Sequence, residues 1–464
     1  MMGMTPKFLV RALAGAALLV AVAAPASATK INRVVSPGGI EFWLVQEPTV
    51  PLIAMDFAFR GGTSQDPDEK SGLASFVAGT IDEGSGDLPS RAFHERAEAK
   101  AIEISFSATR DYFSGNLRTL AENRDEAFEL MRTSLNVPRF DADDVERIRS
   151  EMLAIVRKES TNPEQMASER WWQAAFPGHP YGRPQHGTLD SVAAITADEM
   201  RGYVKNVFAR DNLKVGIVGN IDAATAGALV DKVFGALPAH ATLRDVPAAS
   251  PQALGSAVRV DFDITQSVVL VGGGGIARKD PDFMAAFLVN HILGGGAISS
   301  RLYQEVREAR GLAYSVYSTL VPLSHSALLM TATATRGEAA DQTLDLVSKE
   351  IRRLAEKGPT AEELAKAKSH VKGSYALQFD TSTKIAQQLV LLQVEDLGID
   401  YIDRRGKMID AVTLADAQRV AKRLLGQDML VAMVGRPKAA LARGNTPPVG
   451  GAAASGAPAV LQAR

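Results

Sequence analysis

The chain has 464 residues, a formal net charge of −2, 22% charged residues and no cysteine. At ~100–200 residues per domain this is room for two or more domains, held by apolar cores and not by disulfides. The missing cysteines exclude thiolate metal sites and cysteine nucleophiles. The lack of a basic stripe or an acidic block excludes the usual signatures of nucleic-acid binding and of a charged, disordered tail.

In chain order, Lys7 and Arg11 flank the start of an apolar run, Ala12 to Ala24, that is too short for a comfortable bilayer span. Ala26-Ser27-Ala28 then offers a small-x-small cleavage site, so residues 1–28 are expected to be a secretory signal peptide and the mature chain to work in the periplasm. No Cys follows for a lipid anchor, and no later stretch approaches the ~20 apolar residues of a membrane helix. Leu52 to Phe59 alternates like a strand, Asp66-Pro67 precedes a helical segment, and Ile102 to Ser107 and Tyr112 to Leu117 form two consecutive strands. Helical periodicity runs from Asp143 to Lys158, and Ile195 to Glu199 leads through an amphipathic helix into the strand Leu213 to Gly219.

The same order returns in the second half. Ser267 to Val271, Asp280-Pro281, a helical segment and Gly294-Gly295-Gly296 repeat the earlier pieces, as do Asp341 to Glu356 and Thr413 to Ala417 leading into Met429 to Gly435. Ser90 to Glu95 lies over Ser300 to Glu305, and Ala99-Lys100 over Ala309-Arg310. The chain therefore reads as two copies of one domain, with a period of roughly 210–218 residues, far beyond solenoid repeats. Expected boundaries are 29–237 for the first domain, 238–256 for a Pro/Ala-rich linker, 257–440 for the second domain and 441–464 for a Gly/Pro/Ala-rich tail. Strands that follow one another without a helical crossover point to an α+β fold, each copy a mainly antiparallel sheet with helices packed on it.

Several polar clusters are weaker than they look. His94-Glu95-Arg96-Ala97-Glu98 lacks the second histidine of a forward zinc motif. His179 and His186 lie in a Pro/Gly-rich loop with Tyr181, where a turn is the better reading. Gly272 to Gly275 follows a strand without the Gly-Lys-Ser/Thr of a phosphate loop, so close backbone approach is expected there.

Taken together, Arg60-Gly-Gly-Thr63, Ser71 to Thr80, Phe176 to Arg183, Ile292 to Gly296, Ser299 to Tyr303 and Val306 to Ser315 resemble the pitrilysin/insulinase family of metallopeptidases in its short two-domain form. The resemblance covers nearly all of the mature chain and implies two domains that form a clam-like half-shell around peptides. Family enzymes carry His-x-x-Glu-His on the helix after Gly-Leu-Ala, two imidazoles on one helical face for zinc and a glutamate for water activation. The matching positions here are Ser75, Ala78 and Gly79, and Glu151 near the third-ligand position reads as a solvated helix residue. Arg307 and Tyr314 match the arginine and tyrosine that family enzymes place over the scissile carbonyl, while the first copy has Ala97 and Ile104 there.

The resemblance thus implies a zinc-less subunit, inert alone, with no metal of its own. A zinc-bearing homologous chain would be its partner, and unstructured peptides the substrates. Ser105 to Arg110 is expected as an edge strand that receives peptide, with Ser107 and Thr109 as contacts. Gly294, Gly295 and Gly296 resemble a shortened form of the peptide-handling loop of the family's non-catalytic subunits, and a helix C-cap explains them equally well. The competing class is a structural or peptide-binding module of the same fold, without proteolysis.

Overall fold

The computed structural model describes residues 30–436, so the expected signal peptide (1–28) and tail (441–464) lie outside the described residues. The first half builds one sheet from β1 (Asn32–Val35), β2 (Glu41–Gln46), β3 (Leu52–Arg60), β6 (Glu103–Ala108), β7 (Tyr112–Leu120) and β8 (Leu213–Gly219), with β4 (Gly84–Ser85) and β5 (Leu88–Pro89) as a small separate pair. The second half builds another from β9 (Ala257–Asp261), β10 (Gln266–Gly274), β11 (Ala313–Pro322), β12 (Ala327–Arg336) and β13 (Leu430–Gly435).

The spatial orders are β1-β2-β8-β3-β7-β6 and β9-β13-β10-β12-β11. Setting β1 aside, the two orders are the same, with one parallel pair in each (β2 with β8, β9 with β13) and antiparallel neighbours elsewhere. The duplication read from the sequence is therefore a duplication of topology. The matched helices Ala197–Val207 and Leu414–Leu425 even open alike, on capping boxes of Thr196 with Glu199 and Thr413 with Asp416.

Strand β3 is buried on both faces. Phe57 and Phe59 point into the first-half core with Phe208 and Phe234. Ala54 faces the other way, into a core that also holds Ala386 and Leu389 of the helix Ser382–Val394. That helix comes from the second half. In return the helix Pro163–Ala175 leaves the first half and lays Trp171 and Trp172 on β10, β12 and β13 of the second-half sheet. Glycines make both crossings possible. A Cβ on Gly216 would stand 2.8 Å from the Ala386 carbonyl oxygen, and one on Gly272 would stand 2.6 Å from Trp171 Cζ2. The glycine run Gly272 to Gly275, which lies at the end of β10 (through Gly274) and not after it, is thus a packing feature, as expected of close backbone approach.

A buried polar clasp joins the halves beside the exchanged helix. Tyr181 Oη donates to Asp111 Oδ1 at 2.5 Å, the Ser324 amide donates to Asp111 Oδ2 at 2.9 Å, and the His325 amide donates to Tyr181 Oη at 3.0 Å. Burial, then the neighbouring Asp111 charge, keeps the Tyr181 phenol protonated far beyond its usual range. Arg110 stacks 3.6 Å from the centroid of the Trp172 ring and donates to the Tyr181 carbonyl at 3.2 Å.

Candidate functional site

The helix that would carry zinc ligands is Leu73–Thr80. It starts from Gly72 at φ +93°, where a Cβ would strike the His186 carbonyl, and Asp66 accepts the amides of Gly72 (2.9 Å) and Ala74 (3.0 Å) at its N-terminus. Burial pushes the Asp66 carboxyl up to about 7. On the ligand face, Ser75 Oγ donates to the Gln185 carbonyl at 2.8 Å, Ala78 is buried, and a Cβ on Gly79 would meet Ile148 Cγ2 at 3.5 Å. A committed hydroxyl, a methyl group and a hydrogen facing isoleucine cannot hold zinc. Glu151 is exposed and paired with Arg147 at 3.1 Å, four residues back on the same helix, and Arg147 also holds Glu83 and Asp144. Among the described residues no group of three or more His, Asp or Glu is placed to bind a metal. The residues of this chain do not fit the zinc of the family's motif.

Arg307 and Tyr314, seven residues apart, are brought into contact. Arg307 lies in the wide turn Tyr303–Glu308, where the Ala309 amide reaches back five residues to the Gln304 carbonyl at 2.9 Å, and Tyr314 lies at the start of β11. The Arg307 Cζ sits over the Tyr314 ring, 4.7 Å from its centroid. Tyr314 is 80% exposed, so it is not a core tyrosine. No carboxylate of the described residues is closer to Arg307 than Glu308, 4.0 Å away. The guanidinium edge and the phenol hydroxyl both remain free to donate to an incoming oxygen. Of the equivalent residues in the other copy, Ala97 is buried and Ile104 is half-buried on β6.

The glycine run closes the helix before this site. The Gly296 amide donates to the His291 carbonyl at 2.8 Å, five residues back, and a Cβ on Gly294 would stand 2.5 Å from the Ser318 amide on β11. Turn closure and tight packing account for Gly294 and Gly296, and Gly295 is the exposed member.

β6 is an edge strand, with nothing beyond it in the sheet order. It ends at Ala108, so Ser107 lies in the strand and Thr109 lies in the turn after it. Thr109 departs from the expectation: its amide donates to the Tyr112 carbonyl and its carbonyl accepts from the Thr63 amide, both at 2.8 Å, leaving no main-chain group for a peptide. That bond also sets the phase of the hairpin. Counting back in the regular β6–β7 register, the main-chain groups of Ser105 and Ser107 face β7, and those of Ile104, Phe106 and Ala108 face outward. Ser107 contributes an exposed side chain only.

His179 serves its turn, with Nδ1 accepting the Tyr181 amide at 3.1 Å and Nε2 beside the Pro247 carbonyl at 3.0 Å. His186 pairs with Glu159 at 2.7 Å, which raises its pKa. His94 lies 3.4 Å from Glu83. The clasp of Asp111, Tyr181 and Arg110 was not foreseen. Its one trace in the sequence is the Pro-Gly-His-Pro-Tyr-Gly-Arg run that fixes Tyr181.

Sequence profiles match both halves: insulinase (peptidase family M16) over residues 43–189 and the peptidase M16 inactive domain over residues 194–371. An uncharacterized zinc protease of Streptomyces coelicolor is 26% identical over 414 residues, 87% of this chain and 89% of that protein. A non-peptidase homolog of Helicobacter pylori is 27% identical over 338 residues, 72% of this chain and 77% of its own length. The crystal structure of a peptidase M16 inactive domain from Pseudomonas fluorescens superposes with a TM-score of 0.82 at 27% identity, covering 88% of this chain and 98% of that one.

Proposed function

We propose that this chain, which belongs to the insulinase (M16) family of peptidases, is the zinc-less subunit of a heterodimeric periplasmic metallopeptidase. The observation that carries the reading is the pairing of opposites in one chain. The face of Leu73–Thr80 has no ligand at Ser75, Ala78 or Gly79, while Arg307 and Tyr314 stand together with their donors unspent. A zinc-bearing homologous chain would supply the metal, its ligands and the general base. This chain would supply cavity wall, and Arg307 and Tyr314 would donate to the oxygen that gains charge as the peptide carbonyl is attacked. Tyr314 is exposed here, so its donor gains full strength only when the partner closes over it and excludes water. An extended peptide can join the open edge of β6 through the outward groups of Ile104, Phe106 and Ala108, taking main-chain bonds with little side-chain selection.

The purified mature chain should carry no stoichiometric zinc by elemental analysis and should be inert toward quenched peptides. Mixed with a zinc-bearing homologue from the same organism, it should form a one-to-one complex that cuts unstructured peptides and spares folded proteins. About one tightly held zinc per isolated chain, or chelator-sensitive cleavage without a partner, would overturn the reading. A non-proteolytic module is the second reading, favoured by the apolar contact of Gly79 with Ile148 where a ligand set would stand.

A further inference from the structure

The arginines around the wide turn Tyr303–Glu308 are treated differently. Arg301 makes a two-pronged bond to Glu363 at 2.6 and 2.7 Å, Arg310 holds Glu305 at 2.6 Å, and Arg353 holds Glu350 at 2.8 Å. Arg307 alone in this group rests on aromatic rings, with its nearest carboxylate among the described residues, Glu308, 4.0 Å from Nε and beyond hydrogen-bond reach. Its Cζ lies 4.9 Å from the Tyr303 centroid and 4.7 Å from that of Tyr314. The two rings are not equivalent. Tyr303 is half-buried and packs against the second-half core, whereas Tyr314 is exposed. Tyr303 is the fixed ring of the pair. In the first copy the corresponding Phe93 is buried core, and Ala97 stands where the arginine would be.

A ring face holds a guanidinium by the ring quadrupole and consumes none of its N–H donors, whereas a carboxylate would take two. We propose that Tyr303 is a positioning residue: its half-buried ring, packed against the core, sets the orientation of Arg307 against Tyr314 and keeps the N–H edge free for the carbonyl oxygen of a bound peptide. This deepens the reading of Arg307 as a donor to substrate and rests on it. No hydrogen bond of the Tyr303 hydroxyl to the described residues is present, so the ring face and not the hydroxyl carries the role.

The test compares Tyr303→Phe with Tyr303→Leu, and with Tyr303→Met as a flexible substitute should leucine disturb folding. In the isolated chain, the Arg307 Nε–H resonance, assigned by its loss in Arg307→Lys, should be shifted by the ring currents. It should stay in place in Tyr303→Phe and move toward the free-arginine position in the leucine and methionine variants. In the reconstituted complex the same two variants should lose about 3- to 30-fold in kcat with KM unchanged, and Tyr303→Phe should match wild type. An unmoved resonance with full kcat in Tyr303→Leu overturns the proposal, as does a loss in Tyr303→Phe equal to that in Tyr303→Leu. If Arg307→Lys lowers kcat and Tyr303→Leu does not, this inference fails alone. If Arg307→Lys also leaves kcat untouched, the donor reading fails with it.

Discussion

Tyr314→Phe removes one hydroxyl and keeps the ring. Because Tyr314 is 80% exposed and its hydroxyl bonds to nothing among the described residues, the change costs no core packing and no internal hydrogen bond. Stability should stay within about 0.5 kcal/mol of wild type. The ring still offers its face to Arg307, 4.7 Å away, so the arginine keeps its place and the variant isolates the hydroxyl. If that hydroxyl bonds the oxygen only as charge develops on it, kcat of the complex should fall by about 10²–10³-fold and KM should hardly move. Arg307→Lys keeps the charge, loses the planar fork and the stacking, and should also lower kcat. Arg310→Lys is the control, since its contact with Glu305 is exposed and a lysine can make it. Steady-state kinetics on complexes checked by size-exclusion chromatography give the answer. Intact complexes with full kcat in both the Tyr314 and Arg307 variants would refute the reasoning and leave this chain a contributor of shape alone.

Trp171 is fully buried and its Nε1 donates to the Leu430 carbonyl at 3.1 Å, so Trp171→Ala should cost about 3–5 kcal/mol in a denaturant titration. The loss should move one cooperative transition; two transitions, only one of them shifted, would show that the halves do not depend on each other. Burial alone pushes the Asp56 carboxyl up to about 7, while an unfolded aspartate titrates near ~3.9. The folded state therefore keeps this proton over a range in which the unfolded chain has shed it, and stability declines as pH rises from about 4 to 7. Asp56→Asn should accordingly gain about 1–3 kcal/mol over wild type at pH 8 and nothing at pH 3.5, and a gain independent of pH would show that burial of the charge is not its cause.

Much of the fold was legible because local rules and the core agree. The strand read as Leu213 to Gly219 is β8 to the residue, and the helix read as Asp143 to Lys158 runs from Ala142 to Glu159. The repeat was legible for the same reason, since each copy must bury the same faces in the same order. What could not be read was the partner of a buried face. The helix Pro163–Ala175 and the burial of Trp171 and Trp172 on the other copy's sheet have no counterpart in the sequence reading. Gly272 records the close approach without naming Trp171. The phase of β6 was hidden likewise. Alternation of Ser105 and Ser107 with Ile104 and Phe106 gives the side-chain faces, whereas the direction of the main-chain groups depends on the bond from Thr109 to Tyr112. The Arg307–Tyr314 pair came from resemblance, because a turn residue and a strand residue seven positions apart share no periodicity that would bring them together.

The exchanged helices bear on where a chamber could close. A clam that opened between its two halves would have to pull Ser382–Val394 off β3 and β8 and Pro163–Ala175 off β10 and β13. That would expose Leu389, Trp171 and Trp172 and break the bonds from the Ser324 amide to Asp111 and from the His325 amide to Tyr181. Uncovering even one such aromatic costs several kcal/mol, about as much as the net stability of a small domain. The exchanged helices therefore tie the two halves into one body. Under the proposed function, closure over a peptide would fall instead at the surface where Tyr314 is exposed and Arg307 donates no hydrogen bond to the described residues. A donor pair left in solvent on such a body acquires its strength from whatever covers it, so under the proposed function the chemistry of this chain and its assembly with a partner would be one event.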